Sequence, residues 1–424
     1  MKKAMVLTIG TGRGVESGIA ASIRQNNPDF IVFLATDESK ETIQRVEEVL
    51  GKKFSREEHE IKIIGNENDA EECYKVAKDA IKELKENYDI CVDFTSGTKA
   101  MTGGLILAAV IEGVPNLVYV MGERDKETGR VISGTERVYA IPSPIKILVD
   151  IKKNLIMSMF NNYQFYDCLK TIQDVKREVS PEKLKEFSID TLETIVKAYY
   201  LWDLFRHEEA FNELINLKSK KLGDSIDIAQ LNNNKEFLGK LISKDSERDK
   251  LLLADIICNA ERRIEEGKYD DAVARLYRAV EFIGQVALKQ KGVNTEEFYT
   301  IDLHALPIDE KRKEEYEKYA ENGKIKLGLR AAYELLKDLD HHLGKKFQDD
   351  KALQNLLTKR NSSILAHGIR PVEESDAREL YEKVIEYAGI IYNDIYEWMK
   401  KASFIKLGIG SIPEKDCFND VITS

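Results

Sequence analysis

The apolar pattern of this chain changes period near residue 145, and that change limits the fold more than any other feature. Before it, short runs of strand character alternate with amphipathic helical stretches. Residues 4–9, 30–35, 60–64 and 90–94 read as strands, separated by helices near 17–26, 40–50 and 69–86. An apolar, alanine-rich helix over 98–112 follows, then strands over 116–121 and 137–140 joined by a polar loop around 125–129. Such alternation implies a mostly parallel sheet covered on both faces, with the last two strands an antiparallel hairpin appended to it. Beyond residue 145 nearly everything reads as helix, including 251–266, 269–289, 326–339, 351–365 and 374–401, with breaks at Ser180-Pro181 and 221–225. The expected fold class is α/β plus all-α: a Rossmann-like domain ending in a hairpin over 1–145, a helical connector over 146–250 and a helical domain over 251–424.

A length of 424 residues suits two or three domains, and an apolar content of 43% suffices for their cores. The net charge of -10 excludes a uniformly basic surface, so any nucleic-acid contact has to be local. Eight prolines and 25 glycines argue against long disordered linkers. Cys73, Cys91, Cys168, Cys258 and Cys417 form no Cys-x-x-Cys and no zinc-ligand spacing. They read as free thiols of a reducing cytoplasm. The apolar start mimics a signal peptide, but Gly10, Gly12 and Gly14 break it and it reads as a buried strand. No stretch approaches the length of a membrane span. Segments 162–169, 207–214 and 267–275 echo helical repeats without a fixed period and read as ordinary hairpins.

Two strand ends carry small polar residues, Thr8-Ile9-Gly10-Thr11-Gly12-Arg13-Gly14 and Asp93-Phe94-Thr95-Ser96-Gly97-Thr98-Lys99. Ligands of open α/β sheets bind beyond the carboxyl ends of strands. Glycines let backbone approach a phosphate, and helix N-termini present free N–H groups. Gly10, Thr11, Gly12, Arg13, Gly14, Thr95, Ser96, Gly97, Thr98 and Lys99 are therefore the candidate contacts for a phosphate-bearing ligand. The third glycine is off register for a dinucleotide fingerprint, although Asp37 could serve as its ribose-binding acid, and the second loop fits a Walker A pattern poorly. Either loop alone also reads as a tight strand-to-helix turn.

Near the other end, Arg360 and His367 stand seven residues apart in Arg360-Asn361-Ser362-Ser363-Ile364-Leu365-Ala366-His367, followed by Gly368. In a helix that is almost two turns, which puts both side chains on one face. A permanent cation with a group that titrates near neutrality can cleave RNA without a metal. The competing reading is a histidine near a helix C-terminus and an arginine on a solvated face. His341-His342 invites a metal reading, but adjacent helical residues point about 100° apart. His59, His207 and His304 show no partner pattern, and Tyr199, Tyr200 and Trp202 read as packing at a helix interface.

With both loops ahead of the Arg–His pair, the first domain resembles a CARF domain, the sensor module of CRISPR-associated proteins. The run Asp93-Phe94-Thr95-Ser96-Gly97-Thr98-Lys99-Ala100-Met101 is similar to its second loop. The C-terminal domain resembles a HEPN ribonuclease, whose signature is Arg, four to six residues, then His; here six intervene. Residues 272–281 resemble an earlier HEPN helix, whereas roughly 150–250 matches only in being helical. The resemblance implies a standalone ribonuclease of type III CRISPR systems. Its allosteric activator would be a cyclic tetra- or hexa-adenylate, its substrate single-stranded RNA, its state a homodimer, with no metal, other cofactor, membrane or DNA involved. A twofold ring suits a C2 dimer that presents the same loops twice. Two facing Arg–His pairs also suit catalysis better than one. The implied mechanism is attack by the RNA 2′-hydroxyl, leaving a 2′,3′-cyclic phosphate. His367 acts as general acid/base, Arg360 stabilises developing charge and Asn361 orients the phosphate or the histidine. Some such sensors cut their own activator, a reaction Thr11, Ser96, Thr98 and Lys99 could position. The alternatives are a nucleotide-sensing regulator or helical scaffold without nuclease activity, and a nicotinamide-dependent enzyme.

Overall fold

The computed structural model describes residues 2–12, 14–123, 126, 131–132, 134–142, 144–179, 181–217, 226–243, 246–293, 306–318, 320–321, 324–325, 327–366 and 368–408. Arg13, His304, His367 and Cys417 lie outside them, as do Ser180, the break at 221–225 and, Lys126 apart, the loop at 125–129. The chain divides into two compact units, Met1–Lys153 with Val175–Lys183, and Asn154–Asp174 with Leu184–Ser424.

The first unit runs β1 (Lys2–Thr8), α1 (Val15–Asn26), β2 (Phe30–Ala35), α2 (Glu41–Leu50), β3 (His59–Ile63), α3 (Ala70–Leu84), β4 (Tyr88–Asp93), α4 (Lys99–Ile111), β5 (Asn116–Met121) and β6 (Arg137–Pro142). The sheet order is β3-β2-β1-β4-β5-β6. Every pair is parallel except β5–β6, which forms the expected antiparallel hairpin. The central strands are continuously apolar because helices cover both their faces. Met5, Leu7, Ile31 and Phe33 pack with Ile19 and Ile43 of α1 and α2. Ala4, Val6, Val32 and Val92 pack with Ala77 and Ile81 of α3 and Leu105 of α4. Burial of each large aliphatic side chain stabilises the unit by about 1.5–3 kcal/mol. In α4, a Cβ on Gly104 would lie 2.7 Å from the Tyr74 nitrogen, so glycine is what lets α4 approach α3 so closely.

Helices then follow without interruption by long strands: α5 (Ile145–Asn161), α6 (Phe165–Glu178), α7 (Pro181–Glu186), α8 (Ile189–Asp203), α9 (His207–Ile215), α10 (Ile228–Ile242), α11 (Arg248–Glu265), α12 (Tyr269–Gln290) and α13 (Glu310–Glu317). A short hairpin of β7 (Ala320–Glu321) and β8 (Lys324–Ile325), unexpected from the helical pattern, precedes α14 (Leu329–Asp338), α15 (His342–Asp349), α16 (Lys351–Asn361), α17 (Glu374–Ile391) and α18 (Ile395–Ala402).

Two helix expectations change. The helix expected over 351–365 stops at Asn361. The one expected over 374–401 is two, because Tyr392 turns extended at φ -135. Asp394 then starts the second helix, its carboxylate accepting from Lys250 Nζ at 2.7 Å and Trp398 Nε1 at 3.0 Å.

The helical unit holds an aromatic core in which Phe404 packs on Tyr199 and Trp202, ring centroids 4.9 Å away in each case. Tyr199 and Trp202 are buried and Tyr200 half-buried, so the aromatic cluster packs helices together, as its sequence suggests. His207 does have a partner: its Nε2 lies 2.7 Å from Oδ2 of the buried Asp255, whose Oδ1 accepts from Trp202 Nε1 at 2.9 Å. Forty-eight residues separate that pair, beyond the reach of any local pattern.

Candidate functional site

Connections from β1 lead through β2 to β3 on one side of the sheet, and the chain then returns to β4 on the other side of β1. The carboxyl ends of β1 and β4 therefore flank the topological switch point, where open α/β sheets bind ligands. The two candidate loops leave from these two ends and touch. Ser96 Oγ accepts the Gly10 N–H at 2.8 Å, and the Thr8 hydroxyl donates to the Ser96 carbonyl. Gly97 sits at φ 108, and a Cβ there would lie 3.2 Å from Thr8 Cβ. Glycine is thus required by conformation and by space.

Several hydroxyls in these loops hold the loops themselves. Thr95 Oγ1 accepts the Val120 N–H at 2.8 Å. Thr98 caps α4 by accepting the Met101 N–H at 3.2 Å while donating to the Glu67 carbonyl. Thr42 Oγ1, which sequence reasoning did not single out, donates to the Gly10 carbonyl at 3.0 Å. Thr11, Gly12, Gly14, Gly97 and Lys99 stay exposed, and Arg13 lies outside the described residues. Asp93 is buried beneath the second loop, its Oδ1 accepting the Thr95 N–H at 2.8 Å. Burial raises its carboxyl above the usual range, against the opposing influence of the Ser22 hydroxyl and Thr95.

The second candidate site sits at the end of α16. Leu353, Leu356 and Leu357 bury the inner face of this helix, and Arg360 continues that face. Its guanidinium lies over the Tyr277 ring of α12, 4.1 Å from the centroid. Nη1 approaches Asn361 Oδ1 at 3.4 Å, while Nε is buried and has no hydrogen-bond partner among the described residues. Glu281, one turn beyond Tyr277, is raised by burial and drawn back by Arg278 and Arg360. Burial and the nearby Glu281 raise the Tyr277 phenol, opposed by Arg360 and Arg330. Tyr277 and Glu281 lie in the segment that resembles a HEPN helix; their i, i+4 spacing was the available signal, but not the side they face.

Because the helix ends at Asn361, a shared helical face does not relate Arg360 to residue 367. The chain folds back instead. The Ser363 N–H donates to the Arg360 carbonyl at 2.9 Å, Gly368 N–H to Ser363 O at 3.2 Å and Arg370 N–H to Ser362 O at 3.2 Å. A Cβ on Gly368 would stand 2.0 Å from the Ser362 carbonyl oxygen, so this glycine is demanded by close backbone approach rather than by a helix cap. The loop roofs a cavity of about 210 Å³, walled by Val273, Leu356 and Leu380 and rimmed by Lys359, Arg360 and Arg370. Ile364, Leu365 and Ile369 project from the loop, Ile369 with 88% of its surface exposed.

Other titratable clusters have structural employment. His341 caps α15 through Nδ1, 3.2 Å from the Leu343 nitrogen, and burial lowers its pKa. Burial pushes the Cys91 and Cys168 thiols up to about 12. Among the described residues no three His, Cys, Asp or Glu side chains group as metal ligands, and no helix is long and apolar enough to cross a membrane.

Residues 243–391 match the family described as the Csm6 HEPN domain, and residues 150–252 the Csm6 6H domain. No curated protein matches the chain in sequence. Among solved structures, Enterococcus italicus Csm6 bound to cyclic hexa-2′-fluoro-hexa-dAMP aligns over 95% of this chain and 98% of its own, with TM-score 0.63 and 13% identity. At that identity the likeness is one of fold. Can2 from Sulfobacillus thermosulfidooxidans, in complex with cyclic tetra-adenylate, aligns over 49% of this chain and 68% of its own, with TM-score 0.25 and 12% identity.

Proposed function

The chain belongs to the Csm6 family over residues 150–391, and from that premise we propose that it is a cyclic-oligoadenylate-activated endoribonuclease of type III CRISPR defence, acting in the cytoplasm. The observation that carries this reading is the guanidinium of Arg360, held by Tyr277 and Asn361 with a buried Nε that has no partner among the described residues. A positioned cation with unused donors suits the charge that develops on a phosphorane-like transition state. His367 supplies and removes the protons as the 2′-hydroxyl attacks and the 5′-oxygen leaves. Asn361 orients the guanidinium. The substrate is single-stranded RNA, DNA lacks the nucleophile, and no metal enters the mechanism.

One chain offers one such pair, so the active unit is a homodimer. The exposed Ile364, Leu365 and Ile369 around position 367 are apolar surface of the kind a second subunit covers. The activator lies across the β1 and β4 loops, its phosphates against the exposed backbone of Gly12, Gly14 and Gly97 and the cations of Arg13 and Lys99. The full-length fold likeness to a protein holding a hexa-adenylate analogue favours the six-membered ring. Ser96 and Thr98 are engaged in loop structure, so any cutting of the activator falls to Thr11 and Lys99.

The test is cleavage of a fluorescent RNA in EDTA, with and without synthetic cyclic tetra- and hexa-adenylate, with product ends mapped. Activator-dependent cuts carrying 2′,3′-cyclic phosphates support the reading. Ligand binding without cleavage under any activator would instead establish a nucleotide-sensing regulator.

A further inference from the structure

A groove between α14 and α16 carries more positive than negative charge although the chain as a whole is acidic. Its volume is about 570 Å³, and its lining includes four cations, Arg312, Arg330, Lys337 and Lys351, against the carboxylates of Glu334 and Asp338. Asp338 is already neutralised, accepting from Arg312 Nε at 2.8 Å and from the Tyr316 hydroxyl at 2.8 Å. Among the described residues Arg330, Lys337 and Lys351 make no ion pair. Three cations therefore face one free carboxylate in a chain of net charge -10.

The arrangement is linear. Arg330, Glu334 and Lys337 share one face of α14, at i, i+4 and i+7. Lys351, Gln354 and Thr358 share one face of α16 at i, i+3 and i+7, and Asn361 continues that row. Arg330 Nη2 meets Thr358 Oγ1 at 3.4 Å, so the start of α14 lies beside the last turns of α16, and Lys337 and Lys351 line the same groove. Lys351 and Gln354 line the groove, and Thr358, about 10 Å from Lys351 along α16, lies just past it. At the groove's inner end Arg330 touches Thr358, whose row on α16 runs on past the groove to Asn361 beside Arg360, and Arg330 also acts electrostatically on the Tyr277 that bears Arg360.

We propose that this groove is a binding track for the RNA strand flanking the scissile bond, with Arg330, Lys337 and Lys351 contacting successive phosphates and Gln354 and Thr358 hydrogen-bonding sugar or base edges. The proposal rests on the reading of Arg360 and Asn361 as part of an RNA-cleaving centre. Unpaired cations at intervals along one line suit a polyanion, and the continuity with Asn361 and Tyr277 favours RNA over an acidic protein segment. Phosphate contacts of this kind position the strand without reading sequence, which suits an enzyme of low selectivity.

The experiment compares the full-length protein with its R330Q/K337Q/K351Q variant. Binding is followed with a 2′-O-methyl 12-mer, which cannot be cut, across a salt series. Each phosphate contact in a single strand adds about 0.7 to the slope of log K against log salt, so the triple variant flattens it by about 2 and weakens binding roughly tenfold or more at 0.1 M salt. Cleavage separates the track from the centre: KM for a 12-mer rises, while K337Q/K351Q, which leaves Arg330 in place beside Tyr277, cuts a dinucleoside monophosphate too short to occupy the groove as the wild type does. K351Q alone gives about a third of the slope change, and its exposed side chain makes misfolding no explanation. A slope and KM matching the wild type overturn the track and leave the cations to an acidic protein partner. If the slope falls as stated but the wild type cuts no RNA under any activator, the nuclease reading fails and the groove stands as an oligonucleotide site.

Discussion

Arg360 and Tyr277 come from helices more than eighty residues apart in sequence, yet the guanidinium lies 4.1 Å from the ring centroid. The contact fixes the arginine from below while its edge stays open toward Asn361. Cation–π contacts contribute about 0.5–1 kcal/mol when exposed and about 2 when desolvated, and this one is half-buried.

The first prediction concerns that ring. Tyr277→Leu lowers kcat for RNA by roughly 5- to 30-fold, the equivalent of ~1–2 kcal/mol. Tyr277→Phe, which keeps the ring, stays within about twofold of the wild type. Activator affinity, measured by calorimetry, is unchanged in both. Equal losses in the two variants would mean that the hydroxyl, not the ring face, holds Arg360.

Removing the catalytic groups themselves has larger effects. Arg360→Ala lowers kcat about 10²–10³-fold, as expected for loss of one preorganised charge stabiliser. His367→Ala lowers it about 10²–10⁴-fold, the range of general acid–base catalysis. Arg360→Lys does not rescue, because an ammonium lacks the planar fork that meets Tyr277 and Asn361 together. Single-turnover kinetics with saturating activator measure all three, and full activity in the histidine variant sinks the assignment.

Gly368 gives a test that touches no catalytic side chain. A methyl group there would stand 2.0 Å from the Ser362 carbonyl oxygen, and no flexible side chain can yield. Gly368→Ala therefore opens the 362–370 loop, moves residue 367 by about an ångström or more and lowers kcat roughly 10²-fold. Thermal stability falls only slightly, since the loop is at the surface. A variant with wild-type kcat would show that the return of the loop does not matter to catalysis.

Much of the first unit was legible because its parallel strands are buried on both faces and so form continuous apolar runs. Phe30–Ala35 and Asn116–Met121 have the bounds their sequence suggests. The pairing of the Gly10 and Ser96 loops was visible only as two similar strand ends; the contact follows from β1 and β4 being neighbours. The end of α16 was hidden by Ile364 and Leu365, which continue the apolar spacing past the small polar residues Asn361, Ser362 and Ser363. Those three favour caps and turns over helix interiors, and here they win because Ile364 and Leu365 find no core to enter. Tyr277, Arg330 and the His207–Asp255 pair depend on contacts between distant helices, which no local pattern encodes.

In the sensor unit the tightest constraint is Gly97. Its φ of 108 and the 3.2 Å approach of Thr8 Cβ make Gly97→Ala cost about 1–3 kcal/mol and displace the loop. Melting temperature falls and calorimetric affinity for cyclic hexa-adenylate drops. Gly51→Ala is the control: φ is 69, but open space surrounds the position. It lowers stability by about 1 kcal/mol and leaves the affinity unchanged. Equal effects on affinity would remove the Ser96–Gly97 loop from the binding site.

Asp93 lies directly beneath that loop and makes stability depend on pH in a direction opposite to most carboxylates. Burial raises its carboxyl, so the folded state holds the proton more tightly than the unfolded chain does. Its contribution to stability is complete below the unfolded value, about 3.9, and is lost as pH rises through the raised folded value. Oδ2 of this buried carboxyl has no well-aligned hydrogen-bond partner among the described residues to hold a charge. Asp93→Asn keeps an oxygen for the Thr95 N–H and removes the charge. The variant should melt progressively higher than the wild type as pH rises from 4 to 8, with the two curves converging at the acid end. Parallel curves would mean that Asp93 titrates like an ordinary surface carboxyl, and a variant that loses stability most at high pH would mean that its charge has a partner on the loop.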